Sequence, residues 1–340
     1  MRGLVERGLL QWNQLTHRLA AVPVMVLMPH SRCNCRCVMC DIWKANKDKR
    51  ELTLEELQPH LDMFRKLRVR WVVFSGGEAL LYGSLWPLCE QLEAMGIKRT
   101  LLSTGLLLER DAELCARHLD EITVSLDGPP EIHDAIRRVP RAFDKLAAGV
   151  AAVKAASPTM RITARSVVQK QNWQHLDATV QTALDLGLDE LSFLPADVSS
   201  EAFNRAEPWN EARGSEVALG AEEARQLAAD IETLIKTREP ELRRRFLAED
   251  ADKLRRLGQY WLAVTGQGDL PPVRCNAPWV SAVVESDGAV RPCFFLPAYG
   301  NLHDENLASI LSKDEAVAFR RDLDVAENET CRRCVCSLYL

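Results

Sequence analysis

The sequence predicts an α/β protein: a partial (β/α)6 barrel with a parallel sheet, followed by a small α+β unit. Three observations predict it. Short apolar strands alternate with amphipathic helices six times between residues 22 and 196, a rhythm that implies parallel strands joined by right-handed crossovers. The residues able to carry chemistry lie at or just after strand ends, where parallel sheets present their functional loops. Beyond residue 270 the pattern changes to a hairpin and a second group of cysteines.

The chain has 340 residues, 47% hydrophobic, enough for a large core, and a net charge of −5. That balance leaves no global nucleic-acid footprint. The first twenty residues lack a clean apolar segment, and Leu19–Met28 is too short to span a bilayer and contains Pro23. A cytoplasmic protein without membrane contact is expected. Eleven cysteines in a reducing compartment argue for metal or redox chemistry rather than crosslinks.

Residues 1–21 read as an N-terminal amphipathic helix, 22–200 as the barrel, 201–270 as a helical insert and 271–340 as the C-terminal unit. Val24–Met28 is the first strand. Thr53-Leu54-Glu55-Glu56 is a capping box, and Leu54, Leu57, Leu61, Phe64 and Leu67 form one helix face. Trp71–Phe74 is the second strand. Leu85, Leu88, Leu92 and Met95 mark the next helix, with Gly96 as its stop. Strands then follow at Thr100–Leu102, Glu121–Leu126, Arg161–Val168 and Glu190–Leu194, with helices near 110–118, 142–155 and 173–186. In the insert, 201–220 is polar and irregular. Ala221–Lys236 is a helix, and Pro240–Leu257 is a second, whose Arg243, Arg244 and Arg245 read as a solvated face. Asp287-Gly288 turns a hairpin between Trp279–Val284 and Ala289–Cys293, and a helix covers Leu307–Asp322.

The first strand runs into Arg32-Cys33-Asn34-Cys35-Arg36-Cys37-Val38-Met39-Cys40. Cys33, Cys37 and Cys40 stand at x3 and x2 spacing, which lets one loop grip three corners of a cubane iron–sulfur cluster and leaves one iron open. Zinc or buried thiols are the alternatives. Near the C terminus Cys275, Cys293, Cys331 and Cys334 supply four more thiolates, with Cys336 as an alternative to Cys334. On spacing alone those four suit a cluster and a zinc ion equally. Cys89 and Cys115 read as core residues. The seven histidines show no metal-ligand spacing, His30 reads as a packed or surface residue, and no phosphate loop is present.

The Cys-x3-Cys-x2-Cys loop, Gly76-Gly77-Glu78 after the second strand, and Val124-Ser125-Leu126-Asp127-Gly128 with His133-Asp134-Ala135-Ile136-Arg137 resemble the radical S-adenosylmethionine (SAM) enzymes. The branch resembled carries a SPASM or shortened twitch domain. Met39 stands where the family usually has an aromatic residue, Ala79 where it has proline, and Ser103-Thr104-Gly105 departs from the usual Thr-Asn-Gly. The resemblance implies a [4Fe–4S] cluster on Cys33, Cys37 and Cys40 whose open iron chelates SAM. One electron then cleaves the sulfonium to a 5′-deoxyadenosyl radical that abstracts substrate hydrogen. Met39 would pack on adenine, the bare backbone of Gly76 and Gly77 with Glu78 would meet the SAM amino group, Ser125 its ribose or carboxylate, and Leu194 would flank adenine. Arg165 would bind the carboxylate bidentately or form a structural ion pair; both readings stay open. The C-terminal set implies one auxiliary [4Fe–4S] cluster on Cys275, Cys293, Cys331 and Cys334. A flavodoxin- or ferredoxin-type reductant is the implied partner.

Three readings of function follow. The first is oxidation of a small polar metabolite such as a sugar or aminocyclitol, with the auxiliary cluster accepting an electron. The second is maturation of a ribosomally made peptide; the segment of about twenty residues ahead of the barrel is short for a leader-binding domain on size grounds, which favours the first. The third is an iron–sulfur electron carrier, which has no use for a SAM pocket. The sequence points to no catalytic base.

Overall fold

The computed structural model describes residues 2–205 and 207–340. One nine-stranded sheet runs through the molecule. Its strands are β1 (Val24–Leu27), β2 (Trp71–Phe74), β3 (Lys98–Ser103), β4 (Glu121–Ser125), β5 (Arg161–Val168), β6 (Glu190–Pro195), β7 (Ser281–Val284), β8 (Ala289–Arg291) and β9 (Gly300–Asn301). The order is β6-β5-β4-β3-β2-β1-β7-β8-β9, so the sheet is open and the barrel partial. All six predicted barrel strands are present and pair in parallel.

Alternation along the strands assigns the two faces. Met25, Leu27, Val72, Phe74, Leu101, Ile122, Val124, Ile162, Ala164 and Leu191 are 1% exposed or less and lie under the helices. Each Leu or Phe fully buried this way contributes about 1.5–3 kcal/mol. The opposite face is polar in register: Thr123 pairs with Thr163, Ser125 with Arg165, and Arg165 with Ser192. A polar row inside an otherwise apolar sheet is a binding surface rather than a packing one.

The C-terminal hairpin does not stand apart. β7 pairs in parallel with β1, placing Val284 beside Leu27, and β8 and β9 extend the same sheet antiparallel. Asn13, fully buried, ties the N-terminal helix Arg2–Thr16 to this region by donating to the carbonyls of Ala21 and Trp279, both at 2.7 Å. The Thr53 capping box forms as expected, with Glu56 accepting from the Thr53 amide at 2.7 Å.

Three element boundaries differ from expectation. The helix expected over Pro240–Leu257 divides into Glu239–Arg243 and Ala251–Val264. Between them Phe246–Ala248 lies along the free edge of β6, exchanging bonds with Leu191 at 2.7 and 2.9 Å, and Asp250 caps the second helix through the Lys253 amide. Pairing an exposed sheet edge outweighs two turns of helix. The helix expected over Leu307–Asp322 breaks at Lys313, whose ψ of 156° is extended. The first hairpin strand begins at Ser281, because Ala277–Val280 forms a helical turn. Among the described residues no helix is long and apolar enough to cross a membrane.

Candidate functional site

The loop from Arg32 to Cys40 is held at both ends. His30, 1% exposed, accepts the Arg32 amide at Nδ1 (3.0 Å), and its Nε2 donates to the Glu78 carbonyl (2.8 Å). Burial depresses the His30 pKa, so a neutral imidazole with its proton on Nε2 satisfies both bonds. His30 is therefore a packed residue that joins the loop to the end of β2. The Glu78 amide donates to the Arg32 carbonyl at 2.9 Å.

Gly76 and Gly77 make that junction possible. A Cβ on Gly77 would stand 1.8 Å from the Arg32 carbonyl oxygen. One on Gly76, whose φ is +108°, would stand 3.1 Å from the His30 carbonyl oxygen. No side chain fits at Gly77 without moving the cysteine loop, and the Gly76 backbone favours glycine on its own account.

Glu78 is fully buried, and its carboxylate is turned inward. It accepts from the Leu80 amide (3.2 Å), the Ser103 hydroxyl (2.9 Å), and the Thr104 amide (2.7 Å) and hydroxyl. Burial raises its pKa, and these donors oppose the rise. The carboxylate's acceptor capacity is taken up by these groups of its own neighbourhood. Ser103-Thr104, unusual in its motif, is the counterpart that holds it.

The thiols of Cys33 and Cys40 receive backbone N–H groups from Cys35 (3.5 Å) and Ile42 (3.4 Å). Cys37 receives the guanidinium of Arg137 at 3.4 Å. The Cys37 thiol is drawn down to about 6 by its hydrogen bond with Cys35 and then, against burial, by Arg137. Burial pushes Cys33 up to about 12 and raises Cys40 as well. Met39 is buried, and its sulfur accepts from Gln169 Nε2 at 3.4 Å, which sets it over the end of β5.

The segment after β6, read from sequence as irregular insert, is a strap over this loop. Arg205 donates to the Met39 carbonyl (3.4 Å), Asn204 to the Asp41 carbonyl (3.4 Å) and Arg213 to the Val38 carbonyl. Trp209 Nε1 donates to the Asp41 carboxylate at 2.9 Å. Arg205 is fixed by a buried ion pair to Asp197 at 2.7 Å and by the Trp209 ring at 3.8 Å. Sequence reading missed these residues; the alternation of Arg and Trp over 205–213 is the one signal that marks them.

Ser125 and Arg165 are neighbours in register on the polar face, and Leu194 pairs with Val167 one step further along. Arg165 is exposed there and, among the described residues, enters no ion pair. A cavity of about 1300 Å³ opens beyond the ends of β1, β2, β6 and β7, lined by Met28, Gly76, Gly77, Asp197, Glu285 and Cys334 among others. Met39, Glu78, Ser125, Arg165 and Leu194 do not line it.

Of the second cysteine group, Cys334 lines this cavity. Burial pushes Cys293 up to about 12, and like charge on Cys275 and Cys331 adds to it; Cys334 is raised by burial with Cys293 and Cys275 among its neighbours. Cys334 faces the cavity, whereas Cys336 is exposed and lends only its amide, at 3.4 Å, to the Cys334 sulfur. Cys275 stands near Cys293, Cys331 and Cys334, and Cys336 also stands beside Cys334. Cys89 and Cys115 are fully buried in the core.

Among the described residues no three His, Cys, Asp or Glu side chains converge tightly enough for a single metal ion. Three thiols on one loop and four more in the C-terminal region, several of them receiving N–H groups, are a donor set of the kind that holds iron–sulfur clusters.

Comparison with known proteins agrees. The family model described as the radical SAM superfamily matches residues 27–183, and the model of the SPASM iron–sulfur cluster-binding domain matches 275–335. The AdoMet-dependent heme synthase of Methanosarcina barkeri is 28% identical over 159 residues, 46% of this chain and 45% of that protein. The mycofactocin maturase MftC of Mycolicibacterium smegmatis is 30% identical over 108 residues, 31% of this chain and 28% of that protein. The matched segment thus spans less than half the length of these curated relatives. Streptococcus suis SuiB, solved bound to its precursor peptide SuiA, superposes with a TM-score of 0.65 at 15% identity, covering 98% of this chain and 75% of that one, a likeness of fold. The two matched models imply a [4Fe–4S] cluster with SAM and an auxiliary iron–sulfur cluster. The chain belongs to the radical SAM superfamily, in its SPASM-domain branch.

Proposed function

We propose that this chain reductively cleaves SAM and uses the product to take hydrogen from a substrate held in the 1300 Å³ cavity, as an oxidoreductase. The carrying observation is that three thiols stand on the loop after β1, held to β2 at the Gly77–Glu78 turn, and that Cys334 of the second set lines the cavity that Gly76 and Gly77 also line. Cys33, Cys37 and Cys40 hold the first cluster and leave one corner for SAM. When bound, that pair supplies a one-electron cleavage of the sulfonium and the hydrogen abstraction that follows.

The rest is done by the protein's own groups. Arg165 and Ser125 bind carboxylate and ribose, since an exposed guanidinium that enters no ion pair among the described residues is a ready bidentate donor. Gly76 and Gly77 offer bare backbone at the cavity wall, and Met39 and Leu194 present apolar surface at the ends of β5 and β6. Glu78 acts from behind, fixing the junction of β2 and β3. Cys275, Cys293, Cys331 and Cys334 hold an acceptor for the electron that leaves the substrate. A flavodoxin- or ferredoxin-type protein supplies the first electron.

For the substrate, a small polar metabolite such as a sugar or aminocyclitol fits the hydroxyl, amide and carboxylate groups of Ser199, Ser200, Asn204 and Glu285 on the cavity wall. A precursor peptide is the second reading, favoured by a specific observation. Phe203, Phe294 and Phe295 pack edge to face, 5.0–6.0 Å apart, on the cavity wall, and the cavity exceeds the roughly 300–1,000 Å³ usual for small ligands. Kinship to a mycofactocin maturase points the same way. Anaerobically reconstituted protein given dithionite and SAM should release 5′-deoxyadenosine. No release would leave an electron carrier as the reading.

A further inference from the structure

Most thiols of the two sets take a backbone amide from two residues downstream. Cys35 serves Cys33 (3.5 Å), Ile42 serves Cys40 (3.4 Å), Ala277 serves Cys275 (3.5 Å) and Cys336 serves Cys334 (3.4 Å). Cys37 is different. Besides its hydrogen bond with Cys35, it takes Arg137 Nη1 at 3.4 Å, one hundred positions away in sequence.

Arg137 is built into place. It is buried, and its Nη2 pairs with Asp127 at 2.5 Å. Asp127 is fully buried and anchored by the Val167 amide at 3.0 Å. The helix Pro130–Arg137 also fixes the loop, since the Ile136 and Arg137 carbonyls accept the Val38 and Arg36 amides at 3.0 and 3.2 Å. A buried cation beside a sulfur is little screened by solvent. Hydrogen bonds to the sulfurs and local charge are what set cluster potentials.

We propose that Arg137 is a positioning residue that raises the reduction potential of the Cys33–Cys37–Cys40 cluster, through its N–H···S bond and buried charge on Cys37. The proposal rests on the functional reading above. Reduction adds one electron from a flavodoxin- or ferredoxin-class donor and neither makes nor breaks a bond. The added negative charge spreads onto the thiolates, so a cation and an N–H donor stabilise the reduced form more than the oxidised one. Asp127 holds the guanidinium in register and moderates its charge. The Cys275–Cys334 set has no such cation among its described donors, so Arg137 narrows the gap the external reductant must bridge at the first cluster only.

The test is an EPR-monitored redox titration of anaerobically reconstituted full-length protein, comparing wild type, Arg137→Lys and the charge-balanced double variant Asp127→Asn/Arg137→Met. The expected result is a first-cluster midpoint shifted to lower potential in both variants, more in the double variant, with the auxiliary midpoint unmoved. A purely structural role would lower iron content without moving the midpoint of the clusters that remain. An unchanged first-cluster midpoint in the double variant overturns the proposal. If the double variant holds no first cluster, Arg137→Lys decides alone: a lowered midpoint supports the proposal and an unchanged one overturns it. Absence of any reducible first cluster in the wild type overturns the functional reading instead, and this inference with it.

Discussion

A methyl group at residue 77 would overlap the carbonyl of Arg32, one residue ahead of the first thiol. Gly77→Ala therefore displaces the loop, and reconstituted protein should retain only about half the iron of the wild type, that of the C-terminal set. By contrast Gly187→Ala meets nothing within 4 Å and carries only the strain of its φ of +67°, about 1–2 kcal/mol; its iron content should equal that of the wild type. Glu249 gives a pH signature. It accepts the Phe193 amide at 3.1 Å, and burial, ahead of the opposing bonds, lifts its pKa to about 7. A carboxyl raised in the folded state contributes fully below its unfolded pKa, and the contribution is lost as pH rises through 7. Urea unfolding should show the wild type losing about 3 kcal/mol relative to Glu249→Gln between pH 4 and pH 8. At this scale the sequence shows residue types and spacing: the three thiols and the glycine pair were legible, and Ser125 and Arg165 were legible singly, while their neighbouring register needs the folded sheet. The inward turn of Glu78 was not, because its partners Ser103 and Thr104 lie on another strand and only the folded sheet brings them together.

Among the elements, the strap that carries Asp197, Asn204, Arg205, Trp209 and Arg213 has the largest consequence for the site. Its side chains take the carbonyls of Val38, Met39 and Asp41, groups that a cysteine loop with little regular structure cannot satisfy internally. The Asp197–Arg205 pair is buried on both sides. Arg205→Met leaves Asp197 unpaired and should cost about 3–5 kcal/mol in urea unfolding, whereas Asp197→Leu/Arg205→Met should recover most of that loss. Limited proteolysis of the single variant should cut within the strap first. Hydrophobic periodicity revealed the barrel helices because each buries one apolar face. It could not reveal the strap, whose order comes from arginine and indole contacts to a distant loop. Nor could it divide residues 239–264, where edge pairing with β6 competes with a continuous helical pattern.

Across the whole molecule, β7 makes the two cysteine sets parts of one sheet. Pairing of β1 with β7 fixes the strand leading into Cys33 against the strand leading out toward Cys293, so the separation of the sets is a property of the fold rather than of a hinge. Replacing Cys331 and Cys334 with Ala should therefore spare SAM cleavage while blocking product formation; product from that variant would remove the electron-acceptor role. The alternation of strand and helix made the parallel barrel legible, but the hairpin's own turn signal described it only locally and carried no information about which strand it would join. The most direct test of the account is iron and 5′-deoxyadenosine measured together on anaerobically reconstituted wild type and the Cys33→Ala/Cys37→Ala/Cys40→Ala variant. The prediction is about eight irons per chain with 5′-deoxyadenosine release for the wild type, and about four irons with none for the variant. Full release from the triple variant, or a wild type holding zinc in that loop, would contradict it.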